Sequence, residues 1–588
     1  MKLSINRNTF WCDVFVHRLA ELGVRYACIS PGSRSTPLTL AFASNKSINL
    51  FPIVDERSSA FFALGIAKNT KSPVAVVTTS GTAVAELYPA IIEAYYQRVP
   101  LIICTADRPP ALRNSGANQT INQQNIFKNH IRYFADAGLP NLKNLNYISD
   151  LADKLILNSI LLDKGPVHVN FSFEKPFEPR SYTDKIELSR IRKTFAKPSL
   201  VLNLKRQPSI DFDGLIKKFH ATERGLILVG SNNYNKDFTK ILVQFSRTFG
   251  YPIYADGSSS LRFGDHSKEY FIDNFTAFAR VKSFQKYFDP ELIIQFGGTP
   301  TSNVLLEFFN NSKAEKILVN EYGDRNDPSH SAKRIFAINP AEFCTSLLKN
   351  VGKKFKRDSC WLIDLLVMNN KAGEIKNKLI DNAKFPFEGR IANELIKSLP
   401  KKSNLMISNS LPIRDVDFFA SSNNKNINIF SNRGASGIDG INSTALGIAK
   451  TSKDPTYLLI GDLAFYHDMN GLHNAIKYKI PLTVILINNH GGGIFESLPI
   501  SDYKEFLLEN FLTPLELDFS KLVKAYGGKF IRIKNWRKFS SAISSSKKNK
   551  KITVFEIRTN AKKSKELRDK YWKAVSNEVD LYINEIKC

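Results

Sequence analysis

The chain has 588 residues, enough for three or four domains with full hydrophobic cores. Its 43% hydrophobic and 23% charged content is that of a folded globular protein and excludes wholesale disorder. Lysine and arginine number 82 against 55 aspartates and glutamates, a net charge of +27, but sixteen of those cations fall in residues 531–588 and no basic motif is interleaved with aromatics, so nucleic acid is not the expected partner.

In chain order, an apolar strand is expected at residues 24–29, followed by the loop Ser30-Pro-Gly-Ser-Arg34. Asp55-Glu56-Arg57 precedes a helix that contains Ala-Leu-Gly-Ile-Ala-Lys at 63–68. Short continuous apolar strands follow at 73–80 and 99–107. The hexapeptide returns unchanged at 445–450, an offset of 382, with a strand at 455–462 at the same offset and one at 480–488 at an offset shorter by one, so the two ends of the chain read as a duplicated α/β unit. Between them, 225–230, 291–297 and 315–320 look like buried parallel strands of a Rossmann-like sheet without a GxGxxG turn. The expected architecture is α/β, with three doubly wound, mostly parallel-sheet domains over 1–185, 186–375 and 376–588. Residues 180–198 and 353–384 are polar enough to hold the linkers, and 561–588 have the spacing of a helix.

Chemistry concentrates at the predicted strand ends. Gly461-Asp462 ends one strand of the second copy and Asn488-Asn489 another, and the carboxyl ends of neighbouring parallel strands are where open α/β sheets bind ligands. A carboxylate, an amide oxygen and nearby carbonyls in the glycine run 491–493 are hard donors for magnesium; equally, Asp462 can simply cap the next helix. Ser431-Asn-Arg-Gly-Ala-Ser-Gly-Ile-Asp-Gly440 is a small-residue loop before a helix, suited to a phosphate or to a plain turn. The first copy has Ser80 where the second has Asp462, and offers Glu56 instead.

This combination resembles the thiamin diphosphate enzymes. The motifs at 30–35, 55–57, 79–82, 106–109, 116–119, 409–410, 431–440 and 488–495, in this order, are similar to the branch of that family that joins 2-oxoglutarate to isochorismate with loss of carbon dioxide in menaquinone biosynthesis. The resemblance implies a transferase with thiamin diphosphate and Mg²⁺, or Mn²⁺, as cofactors. It gives Asp462, Asn489 and Gly491 to the metal and Glu56 to the cofactor ring as the catalytic acid. Ser410, Arg433, Ser436, Ile438, Leu463, Ala464 and Phe495 would line the cofactor. Ser33, Arg34, Asn118, Gln119, Arg414 and Arg433 would bind the two dianionic substrates, with Arg108 a weaker candidate. It also implies a homodimer or a dimer of dimers, each cofactor being held between two subunits. One departure is Asn303, which stands where many relatives carry a basic residue. No apolar run reaches membrane-span length and the opening lacks a secretory pattern. The six cysteines (12, 28, 104, 344, 360, 588) are far apart, all of which points to a cytoplasmic enzyme without membrane insertion.

Overall fold

Apolar runs bounded by loops form the strands, and helices cover both faces of each sheet. A computed structural model of the chain describes residues 2–161, 163–195, 210–231, 234, 236–352, 355–357 and 359–587. The first sheet is built from β1 (Tyr26–Ile29), β2 (Asn49–Pro52), β3 (Val74–Thr78), β4 (Leu101–Asp107), β5 (Tyr133–Gly138) and β6 (Val167–Ser172). These strands are parallel, in the order β2-β1-β3-β4-β6-β5. The central sheet contains β7 (Gly225–Val229), β8 (Ile253–Ala255), β9 (Leu292–Phe296), β10 (Glu315–Asn320) and β11 (Ala332–Ala337), parallel in the order β8-β7-β9-β10-β11. The last contains β12 (Ser403–Ile407), β13 (Ile427–Ser431), β14 (Thr456–Gly461), β15 (Leu482–Asn488), β16 (Lys529–Arg532) and β17 (Thr553–Arg558). Its order, β13-β12-β14-β15-β17-β16, is that of the first sheet strand for strand. The chain is therefore α/β with three mostly parallel sheets, the outer two related by duplication. Among the described residues no helix is long and apolar enough to cross a membrane.

Seven helices matter for the site: α1 (Glu56–Thr70), α2 (Cys360–Asn382), α3 (Glu388–Ser398), α4 (Leu411–Phe419), α5 (Ile441–Thr451), α6 (Asp462–His467) and α7 (Ala561–Lys587). The two linker expectations need correction. Residues 353–384 are mostly the 23-residue α2, whose Trp361, Leu365, Met368, Ala372 and Ile380 are buried at helical spacing and pack in one core with α7. Residues 180–198 contain the strand Asp184–Glu187, paired antiparallel with Lys2–Ile5, and the helix Leu188–Phe195. Residues 196–198 of that stretch lie outside the described residues.

The repeated hexapeptides meet. α1 and α5 pack face to face, and their contacts are reciprocal at the offset of 382. A Cβ on Gly65 would lie 2.1 Å from Thr444 O, and one on Gly447 would lie 2.1 Å from Phe62 O. Asn69 Nδ2 donates to Thr451 Oγ1, its own counterpart, at 3.0 Å. Ser58 and Ser443 both donate to the Asp468 carboxylate. This is a pseudo-two-fold interface inside one chain, with residue i on j and j on i. It rests on backbone contact, so Gly447→Ala is expected to lower stability by roughly 1–3 kcal/mol despite alanine's better helix propensity. A thermal midpoint unchanged or raised would show that the helices are not locked at this point.

Candidate active site

β14 and β15 are hydrogen-bonded neighbours, so their carboxyl ends bring Asp462 and Asn489 together. Asp462 is the first residue of α6. Its Oδ1 accepts from the Leu463 N–H at 2.9 Å and its Oδ2 from the Gly491 N–H at 2.8 Å. It is buried, and the loss of solvation pushes its carboxyl up to about 6. Gly491 has φ +127°, and a Cβ there would come 2.0 Å from Leu512 O, so the loop closes only with glycine. Asn489 donates from Nδ2 to Glu388 Oε1 at 3.1 Å, whereas its Oδ1 is buried without a hydrogen-bond partner. An orphaned amide oxygen next to a desolvated carboxylate is the donor set a hard divalent cation takes. No group of three or more His, Cys, Asp or Glu among the described residues could hold a metal, so any cation here depends on this mixed set.

The loop after β13 is held from three directions. Asn409 Nδ2 donates to the carbonyls of Asn432 and Gly437, both at 2.7 Å. Glu93, from the first domain, accepts from the N–H groups of Gly434 (2.8 Å) and Ala435 (2.7 Å). Lys68 donates to Ser431 O at 2.7 Å. Ser410 (φ +71°) and Ser436 (φ +61°) hold left-handed conformations on either side of Asn409's bridge, and Arg433 donates to Asn409 Oδ1 at 3.3 Å. Ile438 stays 37% exposed. Leu463 and Ala464 form the first turn of α6, and Phe495 meets Phe511 edge-on at 5.3 Å.

Glu56 opens α1, behind the cap in which Asp55 accepts from the Ser58 N–H at 2.9 Å. Burial raises its carboxyl above the usual glutamate range, and the nearby charges of Asp55 and Glu86 add to this. No hydrogen bond among the described residues joins it to Asp462 or Asn489.

The arginines are arranged as like-charged pairs. Arg34 donates to Phe173 O at 2.6 Å and lies over the Phe177 ring; burial, then the charge of Arg108, lowers its pKa. Arg414 donates to Ser410 O at 2.6 Å; burial, then Arg433, lowers its pKa. None of Arg34, Arg108, Arg414 and Arg433 makes an ion pair among the described residues. Gln119 is tied to Ser80 through two hydrogen bonds (3.0 and 3.1 Å), and Arg108 donates to the same serine. Ser33 and Asn118 are exposed on loops beside β1 and β4, and Asn303 is exposed at the start of the helix Asn303–Asn311.

Two features had no sequence signal. Glu93, on the helix Tyr88–Tyr96, reaches across to the loop of the last domain. Glu388, Asp415 and Arg568 form a buried ionic triad under Asn489: Arg568 donates to Asp415 Oδ1 (2.8 Å) and Oδ2 (2.7 Å) and to Glu388 Oε2 (2.7 Å). The partners are more than 150 residues from Arg568 in sequence, beyond the reach of any local pattern.

A duplicated α/β unit with a cation-type donor set in one copy and a half-buried glutamate in the other defines a thiamin diphosphate enzyme. Family models agree: residues 11–126 match the N-terminal TPP binding domain of thiamine pyrophosphate enzymes, 199–407 the middle domain and 422–557 the C-terminal TPP binding domain. The chain is similar to proteins named 2-succinyl-5-enolpyruvyl-6-hydroxy-3-cyclohexene-1-carboxylate synthase from several organisms. That of Bacillus cytotoxicus is 37% identical, with 97% of each chain covered. That of Geobacillus kaustophilus is 37% identical over 97% of this chain and 98% of the relative, and that of Trichodesmium erythraeum 35% over 94% and 95%. The chain belongs to the 2-succinyl-5-enolpyruvyl-6-hydroxy-3-cyclohexene-1-carboxylate synthase family.

Proposed function

We propose that this enzyme transfers the four-carbon unit of 2-oxoglutarate to isochorismate, releasing the fifth carbon as carbon dioxide, in menaquinone biosynthesis. The observation that supports the substrate class is the proximity of Arg108 to Arg34 and of Arg433 to Arg414, four guanidinium groups that make no ion pair among the described residues, although the charges of Asp107 and Asp415 reach Arg34 and Arg414. Guanidinium groups without ion-pair partners suit anionic ligands, and two dicarboxylates supply the matching forks. Ser33, Asn118 and Gln119 add neutral hydrogen-bonding groups from the first domain.

Bound thiamin diphosphate supplies the electron sink for decarboxylation. Asp462, Asn489 and the Gly491 backbone would hold Mg²⁺, or Mn²⁺, on the diphosphate. Ser410, Arg433, Ser436 and the first turn of α6 would hold the cofactor's polar groups, and Ile438 and Phe495 would cover its apolar face. Glu56, its carboxyl already raised by burial, would keep a proton at the aminopyrimidine ring and exclude water there. Glu56 and the Asp462–Asn489 pair are completed by a second copy, in a homodimer or a dimer of dimers. This fits the exposed apolar side chains next to both half-sites: Val54, Ile438, Tyr466, Leu498 and Phe506. The free cysteines, four of them buried, suit a reducing cytoplasm.

Isochorismate consumption with 2-oxoglutarate, thiamin diphosphate and Mg²⁺ tests the assignment. Turnover is expected with 2-oxoglutarate and not with pyruvate; the reverse preference would assign the arginines elsewhere. The cofactor with Mg²⁺ is also expected to raise the thermal midpoint of the wild type, and Asp462→Ala to abolish that rise.

A further inference from the structure

We infer that Glu388 is a positioning residue that decides which end of the Asn489 amide faces the cation site. The inference rests on the reading of Asp462 and Asn489 as that site. An asparagine amide presents an acceptor at one end and a donor at the other, and either can be turned inward. A carboxylate can only accept. Glu388 Oε1 accepts from Asn489 Nδ2 at 3.1 Å and from Thr559 Oγ1 at 2.8 Å, so the amide must keep its NH₂ on Glu388 and turn Oδ1 the other way. That oxygen is the one left buried and unpartnered.

Glu388 is itself held ready for this. It is 1% exposed at the start of α3, and its second oxygen, Oε2, is taken by Arg568, which also grips Asp415. With Oε2 occupied by a guanidinium, Oε1 is the oxygen available to Asn489. The arrangement reaches Asn489 from three separate elements, α3, α4 and α7, none of which carries a ligand of the proposed cation. Groups of this kind around metal ligands set affinity by fixing ligand orientation.

The test is a Mn²⁺ titration of the full-length protein by electron paramagnetic resonance in the presence of thiamin diphosphate. In Glu388→Gln the new amide keeps its oxygen on Arg568 and offers NH₂ to Asn489, which must answer with Oδ1 and so withdraw it from the ion. The Mn²⁺ dissociation constant is expected to rise about 10- to 100-fold. Adding Asn489→Asp exchanges the donor and acceptor roles across the pair and is expected to restore binding to within about threefold, a rescue that a merely structural role of Glu388 does not give. A folded Glu388→Gln variant that binds Mn²⁺ like the wild type, while Asn489→Ala loses it, overturns the inference. Wild-type affinity in Asn489→Ala overturns the cation site itself, and the inference with it. If Glu388→Gln does not fold, a crystal of the Mn²⁺-loaded wild type decides. Nδ2 on Glu388 with Oδ1 on the ion supports the inference, and an amide turned away from Glu388 overturns it.

Discussion

Glu56→Gln is expected to lower kcat by about 10²- to 10⁴-fold, the range contributed by a positioned proton-transfer group. Glutamine keeps the size and hydrogen-bonding reach of the side chain but cannot hold a transferable proton. Burial, helped by the charges of Asp55 and Glu86, raises the carboxyl of Glu56 against the opposing backbone hydrogen bond at the start of α1. The variant should still show the thermal shift given by thiamin diphosphate with Mg²⁺, because Glu56 is not part of the Asp462–Asn489 donor set. Steady-state turnover and thermal shift, measured on the same preparation, separate the two roles. Near-normal turnover, or a variant that no longer binds the cofactor, would remove Glu56 from the chemistry assigned to it.

The second large effect is on stability. Arg568→Met keeps most of the side-chain volume but leaves Glu388 and Asp415 buried without their ion-pair partner, at an expected cost of about 3–5 kcal/mol. Arg568 makes the only ion pairs of either carboxylate among the described residues, and the charge of Arg414 reaches Asp415 without forming a salt bridge to it. A chain of several domains does not unfold in one step, so the readout is the thermal transition of the domain that carries β12 to β17. Replacing all three members by apolar residues removes the uncompensated charges and is expected to recover most of the loss. A single Arg568→Met variant as stable as the wild type would mean that water or relaxation neutralises the carboxylates.

Much of the fold is legible in the sequence because the parallel strands are continuous apolar runs and the duplication keeps a nearly constant offset. The hexapeptides at 63–68 and 445–450 mark the duplication in one dimension. In three dimensions they are the paired faces of α1 and α5, where small residues allow backbones to touch. α2 was hidden by composition: charged and polar residues on its exposed face outweigh the apolar stripe from Trp361 to Ile380, although the stripe itself has helical spacing. In the candidate site, Asp462, Asn489 and the arginines are visible because they stand at strand ends and in recognisable loops. Glu93, Glu388, Asp415 and Arg568 are not, because each acts across a tertiary contact and stands in an unremarkable helical sequence. The expected contact at Asn303 likewise cannot be read from type alone: the residue is exposed at a helix start, and its position says nothing of charge.

The central claim is that one chain supplies Glu56 and another supplies Asp462 and Asn489 to the same cofactor. Co-expression of a Glu56→Gln chain and an Asp462→Ala chain under different tags, followed by purification of the mixed dimer, tests it most directly. Each parent is expected to be nearly inactive alone. The mixed dimer then holds one site with both lesions and one with neither, and is expected to show about half the wild-type isochorismate turnover per dimer. A mixed dimer as inactive as its parents would place both lesions in separate, self-contained sites within each chain and contradict the account.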